Sequence, residues 1–282
     1  MSAGTAPRQD SAPAAESIAD SRNELRLRIV SASVLAPIAL GAVYLGGWVF
    51  FGLVTVAAAV MVWEWDRMCG GTNGVTLGLA TIVLAAILIL AGLAAYLPAI
   101  LAAMVGSICV WAAARLVGAR SSVWKSFGVI YVGVPSVALL VLSARTGDGT
   151  VLVFWLLAAV WATDIGAYAA GRSIGGPKLA PKISPNKTWA GLAGGMLSAA
   201  AASAAFAAAL DWQPFWIWPA AGLVLAVAAQ AGDLFESHAK RRFGVKDSSR
   251  VIPGHGGVLD RLDGLLAVAP LVAVLTFGLG VS

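Results

Sequence analysis

Charge is scarce in this chain. Asp, Glu, Lys and Arg make up 12% of its 282 residues, while 59% are hydrophobic and the mean hydropathy is +0.85. A soluble domain carries roughly 25% charged residues. The apolar excess cannot be buried in a water-soluble core of this length, because the surface would have to be apolar too. A soluble single-domain protein is therefore excluded. Thiols and imidazoles are scarcer still. Cys69 and Cys109 both sit in or beside apolar runs, which excludes a disulfide scaffold, and with only His238 and His255 to join them they leave little for a structural zinc site.

Long apolar runs are what the chain does have. They lie near 29–45, 47–63, 75–96, 98–117, 126–143, 151–171, 189–210, 214–233 and 262–281. Each is close to the ~20 residues that a bilayer-crossing helix needs, and helix is the form that satisfies its own backbone in lipid. The expectation is an all-α polytopic integral membrane protein of about nine transmembrane helices. With nine spans, every Lys and Arg except Arg145 falls on the face that also holds the N-terminus. The positive-inside rule makes that face cytoplasmic. The net charge of +5 is thus topogenic, and no nucleic-acid partner is expected. Residues 1–24, rich in Ala, Ser and Pro with alternating charge, read as a disordered cytoplasmic tail. The first apolar run is too long and begins too late for a cleaved signal peptide.

Polar residues concentrate in two of the cytoplasmic segments. In the first, Asp164 lies inside an apolar run, where an ionisable group is costly unless it faces a cavity or a partner. Tyr168 and Gly171 follow it on the same helical face. The loop over 172–188 carries Lys178, Lys182, Ser184, Asn186, Lys187 and Thr188 with no acid, a set that can offer hydroxyls, ammoniums and backbone N–H groups to phosphate. Gly171-x4-Gly176 is followed by Pro177, so this is no Walker A loop. In the second segment, Asp233, Glu236, Ser237, Lys240 and Arg241 fall on one face if the helix continues, and Asp260 and Asp263 are an i, i+3 pair. Two acidic pairs joined by a basic, glycine-rich loop could enclose a hard divalent cation and phosphates. His255 fits a phosphate donor, a general acid or a turn residue. His238 reads as structural. Glu64 and Asp66, flanked by Trp63 and Trp65, read as an interfacial anchor at the end of the second span.

Ser237-x-x-Lys240-Arg241-x4-Lys246-Asp247 and Pro253-x-His255-Gly256-Gly257-x-x-Asp260-Arg261-x-Asp263 together resemble the signature of the phosphatidate cytidylyltransferases, or CDP-diacylglycerol synthases. The run from Asp164 through Tyr168, Gly171-Arg172 and Ser184-Pro185 to Lys187-Thr188-Trp189 resembles the same family. Ala190, where the family commonly has Glu, and Ser249-Arg250 ahead of the Pro-x-His motif depart from it.

The resemblance implies cytidylyl transfer from CTP to phosphatidic acid, giving CDP-diacylglycerol and pyrophosphate for phospholipid biosynthesis in a bacterial plasma membrane. It implies Mg2+, with a monovalent cation such as K+ beside it. By role, the expected metal ligands are Asp233, Asp260 and Asp263. Lys240, Arg241, Lys246, Asp247, His255 and Asp164 form the catalytic group, and Ser184, Asn186, Lys187, Thr188, Gly256 and Gly257 the nucleotide-binding group. Region 25–148 then holds about five N-terminal spans, and region 149–282 the catalytic half, with loops 172–188 and 234–261. The small-residue stripe Gly191-x-x-Gly194-Gly195 suits either a homodimer or packing within one subunit. A CTP-dependent lipid kinase and a multispan anionic-solute transporter are the alternatives.

Overall fold

A computed structural model describes residues 12–71 and 74–278. Nine helices and one hairpin form among them: α1 (Ala12–Leu45), α2 (Gly47–Met68), α3 (Gly74–Gly92), α4 (Tyr96–Leu116), α5 (Ser122–Ser143), α6 (Gly149–Ser173), β1 (Lys178–Ala180), β2 (Ser184–Thr188), α7 (Trp189–Ala209), α8 (Ile217–Arg242) and α9 (Leu259–Gly278). The nine apolar runs correspond to the nine helices one to one. Seven of them, α2 through α8, are long and apolar enough to cross a membrane; α1 contributes the shorter apolar stretch Ile29–Leu45. The chain is an all-α, multi-pass membrane protein.

Three boundaries differ from expectation, each for a local reason. α1 starts at Ala12, inside the segment expected to be disordered, since its Ala, Glu, Leu and Arg residues favour helix. Residues 1–11 of that expected tail lie outside the described residues, as do 279–282 at the end of the last expected span. α8 runs through Arg242, past the expected end at 233, and its last turn carries Lys240, Arg241 and Arg242, which complement the negative helix C-terminus. The loop expected over 234–261 therefore shrinks to 243–258. The loop after α6 folds back as an antiparallel pair, Lys178 opposite Thr188 and Ala180 opposite Ser184. Gly175 and Gly176, at φ 67 and 88, turn the chain out of α6 into that pair.

Helix contacts are close where glycines line them. α6 and α7 make the most extensive pairing in the bundle. A Cβ on Gly166 would meet Ser198 Oγ at 2.1 Å, and one on Gly194 would meet the Gly166 carbonyl at 2.8 Å. Gly191 and Gly195 face the Ala167 and Thr163 carbonyls in the same way. The stripe that suited either a homodimer or internal packing is thus covered by α6 of its own chain.

On the N-terminal side, α2, α3 and α5 are knotted at the end of the bundle that also holds the polar segments of α8 and α9. Lys125 Nζ lies 2.6 Å from Asp66 Oδ1, with both side chains buried, and Thr76 Oγ1 donates to the same oxygen at 3.1 Å. Trp65 is 1% exposed and donates its Nε1 proton to the Trp124 carbonyl at 2.6 Å. Its ring is surrounded by those of Trp124, Phe127, Tyr131 and Phe235. A Cβ on Gly128 would come within 2.3 Å of it. The Glu64–Asp66 cluster is therefore not an interfacial anchor; its acids and Trp65 are core. Breaking a buried ion pair by removing one partner strands the other charge. Asp66→Asn is expected to destabilise the folded protein by about 3–5 kcal/mol, to be read from the thermal unfolding midpoint in detergent.

Candidate active site

The polar residues of α6, α8 and α9 meet at one end of the bundle in two adjoining groups. The first centres on Asp233 of α8. Lys187, the penultimate residue of β2, places its Nζ 2.6 Å from Asp233 Oδ2 and donates to Gln230 Oε1 at 2.8 Å. Ser237, one turn on, donates to Asp233 Oδ1 at 3.2 Å. Asp164 of α6 and Asp263 of α9 both lie within the electrostatic reach of Asp233 and of each other. Asp263 accepts only from the adjacent Gly264 N–H, at 2.7 Å, among the described residues. Carboxylates from three helices thus lie near one another, and Lys187 pairs with the one on α8.

The second group centres on Lys240. Its Nζ lies 2.6 Å from Glu236 Oε2 and 2.7 Å from Asp260 Oδ1. Glu236 is fully buried, and its other oxygen, Oε1, has no hydrogen-bond partner among the described residues. Asp260 is the opposite case. Besides Lys240 it accepts from the Ser248 N–H at 2.9 Å, the Ser248 hydroxyl at 3.0 Å and the Gly257 N–H at 2.8 Å. A carboxylate offers about four lone-pair positions, so those of Asp260 are largely taken by the loop it closes.

Other expected site residues fall elsewhere. Thr188 is buried and caps α7, its Oγ1 accepting from the Gly191 N–H at 3.0 Å. Ala190, where Glu is usual, follows within that first turn of α7. Gly257 has its N–H committed to Asp260 and lies so close to Ser248 and Glu64 that a Cβ would overlap both. It is a packing glycine, whereas Gly256, at φ 84, supplies the turn. His255 Nδ1 lies 2.6 Å from the Ser31 hydroxyl of α1. Ser184 and Asn186 stand on the hairpin, the first half-buried and the second exposed. Arg241 is exposed and donates to the Val245 carbonyl at 3.3 Å. Lys246 and Asp247 line an open cleft of about 710 Å3 together with Trp63, Arg67 and Arg250.

Sequence reasoning left Gln230 and Ser248 unassigned and gave Glu64 to an interfacial anchor. For Glu64 a signal existed. A carboxylate near the C-terminus of α2 opposes that helix's own dipole, and so calls for a partner elsewhere. Cys69, just after α2, is buried, and that burial pushes its thiol up to about 12.

Five carboxylates (Asp164, Asp233, Glu236, Asp260 and Asp263) are gathered around two ammoniums, Lys187 and Lys240. The surplus of hard oxygen donors and the orphaned Glu236 oxygen fit a divalent cation. No three His, Cys, Asp or Glu side chains among the described residues are already gathered closely enough to hold one. Lys187 occupies the Asp233 oxygen that such an ion would need.

Fold and site define a class: a multi-pass membrane protein with a carboxylate-and-lysine centre built where helix ends meet. The sequence matches the Cytidylyltransferase family over residues 26–278, and the chain belongs to that family. It is 38% identical over 256 residues to the phosphatidate cytidylyltransferase of Brucella suis biovar 1 (strain 1330), covering 89% of this chain and 92% of that one. With the phosphatidate cytidylyltransferase of Pseudomonas aeruginosa it shares 36% identity over 268 residues, covering 91% of this chain and 98% of the other. The relative in Staphylococcus haemolyticus, of the same name, is 40% identical over 148 residues, or 52% of this chain and 56% of its own.

The placement of Thr188 gives a direct test. Replacing an N-cap Thr by Ala costs about 1 kcal/mol. Thr188→Ala is expected to lower the thermal midpoint by that equivalent and to leave the Lys187–Asp233 pair formed.

Proposed function

We propose that this protein catalyses cytidylyl transfer from CTP to phosphatidic acid, releasing pyrophosphate and forming CDP-diacylglycerol for phospholipid synthesis. The observation that carries the reading is the meeting of Asp233, Lys240, Asp260 and Asp263 at the α8–α9 junction, in a chain with near-full-length relatives of that name.

The reaction asks little of a general base. A phosphate monoester oxygen of the lipid attacks the α-phosphorus of CTP, the α–β phosphoanhydride bond breaks, and pyrophosphate departs. The nucleophile is largely ionised near neutral pH, so the barrier lies in bringing two polyanions together and in stabilising the leaving group. Asp233 and Asp263, with Asp164, would hold Mg2+ once drawn together, with K+ as the second ion. When bound, the divalent ion neutralises phosphate oxygens and the charge that develops on pyrophosphate. Asp260, engaged by Ser248 and Gly257, orients Lys240 and would bind metal only by releasing these contacts. Lys240, Arg241 and Lys246 supply cationic contacts to triphosphate and lipid phosphate. Lys187, which pairs with Asp233, would offer its ammonium to the nucleotide phosphates, with Ser184 and Asn186 on the same hairpin. Asp247 and His255 belong to the wall around the Gly256 turn.

The site end of the bundle faces the cytoplasm of a bacterial plasma membrane, where CTP is available. The positive-inside distribution supports this orientation. A Lys182→Cys variant is expected to react with a membrane-impermeant maleimide in inside-out vesicles and not in right-side-out ones. The reverse pattern would invert the topology.

The decisive assay uses detergent micelles of phosphatidic acid, Mg2+, and CTP labelled separately at the α- and γ-phosphorus. Label from the α-position is expected in the lipid, and γ-label in pyrophosphate. Transfer of γ-label to the lipid would instead make the protein a kinase. Asp233→Ala and Asp263→Ala should each lower turnover on the order of 10³-fold or more. Near-full turnover by either at saturating Mg2+ would remove it from the metal site.

A further inference from the structure

Glu64 belongs to neither group of the site. It lies on α2, some 170 residues before Asp233 by sequence number, yet it is fully buried against the loop that precedes α9. Its Oε1 accepts from the Ser249 hydroxyl at 2.6 Å and the Val258 N–H at 2.9 Å. Its Oε2 accepts from the Leu259 N–H at 2.7 Å. The first N–H groups of a helix have no partner within it and are ordinarily met by a Ser, Thr, Asp or Asn side chain just before the helix. Here the residue ahead of Leu259 is Val258, which offers none. The cap comes from another helix, and it comes as a charge directed at the positive end of the α9 dipole.

Glu64 and Asp260 grip the same loop from opposite sides. Asp260 binds Ser248 and Gly257; Glu64 binds the next residues along, Ser249 and Val258. Gly257 is pinned between them, since a Cβ there would lie 2.0 Å from Ser248 Oγ and 2.5 Å from Glu64 Oε1. Asp260 and Asp263 occupy the first turns of the helix that Glu64 caps, and Asp260 holds Lys240. We propose that Glu64 is a positioning residue for cytidylyl transfer: from α2 it sets the register of the α9 N-terminus, and through it the placement of Asp260, Asp263 and Lys240. Its kinetic consequence rests on the cytidylyltransferase reading; its structural consequence does not.

The test compares wild-type full-length enzyme with Glu64→Gln and Glu64→Asp in detergent, with two readouts. The first is amide hydrogen exchange over residues 257–263. Glu64→Gln removes the charge and turns an acceptor into a donor facing N–H groups, so exchange there should quicken at least about tenfold, with α3 and α4 unchanged. The second is kinetic. Glu64→Gln should lower kcat about 10- to 100-fold and raise the Mg2+ concentration for half-maximal rate. KM for phosphatidic acid should stay within about twofold, and Glu64→Asp should recover part of kcat. Asp66→Asn, which weakens a buried pair outside the site, serves as the comparator and should leave kcat per folded molecule and the Mg2+ requirement as in wild type.

Unchanged exchange over 257–263 overturns the proposal. So does a Glu64→Gln enzyme that behaves like Asp66→Asn, losing thermal stability with its kcat and Mg2+ requirement intact. Should Glu64→Gln fail to fold, Glu64→Asp, with its carboxylate drawn back by one methylene, decides by the same two readouts. Absence of α-label transfer by the wild-type enzyme refutes the cytidylyltransferase reading instead, and the exchange readout alone then judges the placement of Glu64.

Discussion

Lys240 holds two carboxylates, Glu236 one turn behind it on α8 and Asp260 at the start of α9. Much of the surrounding architecture follows from the need to keep those three polar groups together and largely out of water. A buried ammonium or carboxylate is tolerated only when paired and hydrogen-bonded. Lys240 can satisfy both acids only if α9 begins at a fixed distance from α8. The loop between them is held to that length by Asp260 bonding back to Ser248 and Gly257. Glu64 then fastens the same loop to α2, and Trp65, its neighbour, is locked into an aromatic cluster spanning α2, α5 and α8. The polar centre and the aromatic core are thus successive residues of one helix facing different partners.

The helices were legible in the sequence because hydropathy reports burial in lipid directly, and each of the nine apolar runs became one helix. The hairpin was not. Its strands are short and polar, carry lysines and Pro185, and show none of the alternation that marks a half-buried strand. The face carrying Asp233, Ser237 and Lys240 was legible from helical periodicity once α8 was taken to continue, and the structure continues it to Arg242. Thr188, Gly257 and Glu64 were harder for a common reason. Each has a role defined by a contact that local pattern does not carry: the α7 N-terminus for Thr188, Ser248 and Glu64 for Gly257, and α9 for Glu64. A Glu between two Trp at a helix end reads the same whether it faces headgroups or a distant helix N-terminus.

Small residues serve a different purpose in the other half of the site. The α6–α7 contact brings backbones together through Gly166, Gly191, Gly194 and Gly195, which leaves little space for side chains between these helices. Lipid offers no hydrophobic drive for helices to associate, so close backbone approach supplies the attraction. It also fixes the height of Asp164 on α6 against the end of β2, where Lys187 emerges just before α7.

In the extended chain of β2, consecutive side chains point to opposite faces. Lys187 turns to Asp233 of α8, and Thr188 turns to the first turn of α7. The base of the hairpin is tied down on both sides, while its tip, Pro181 and Lys182, stands exposed. A change in tip length would leave both anchors in register, so the tip offers a tolerant point for a graft or a reporter.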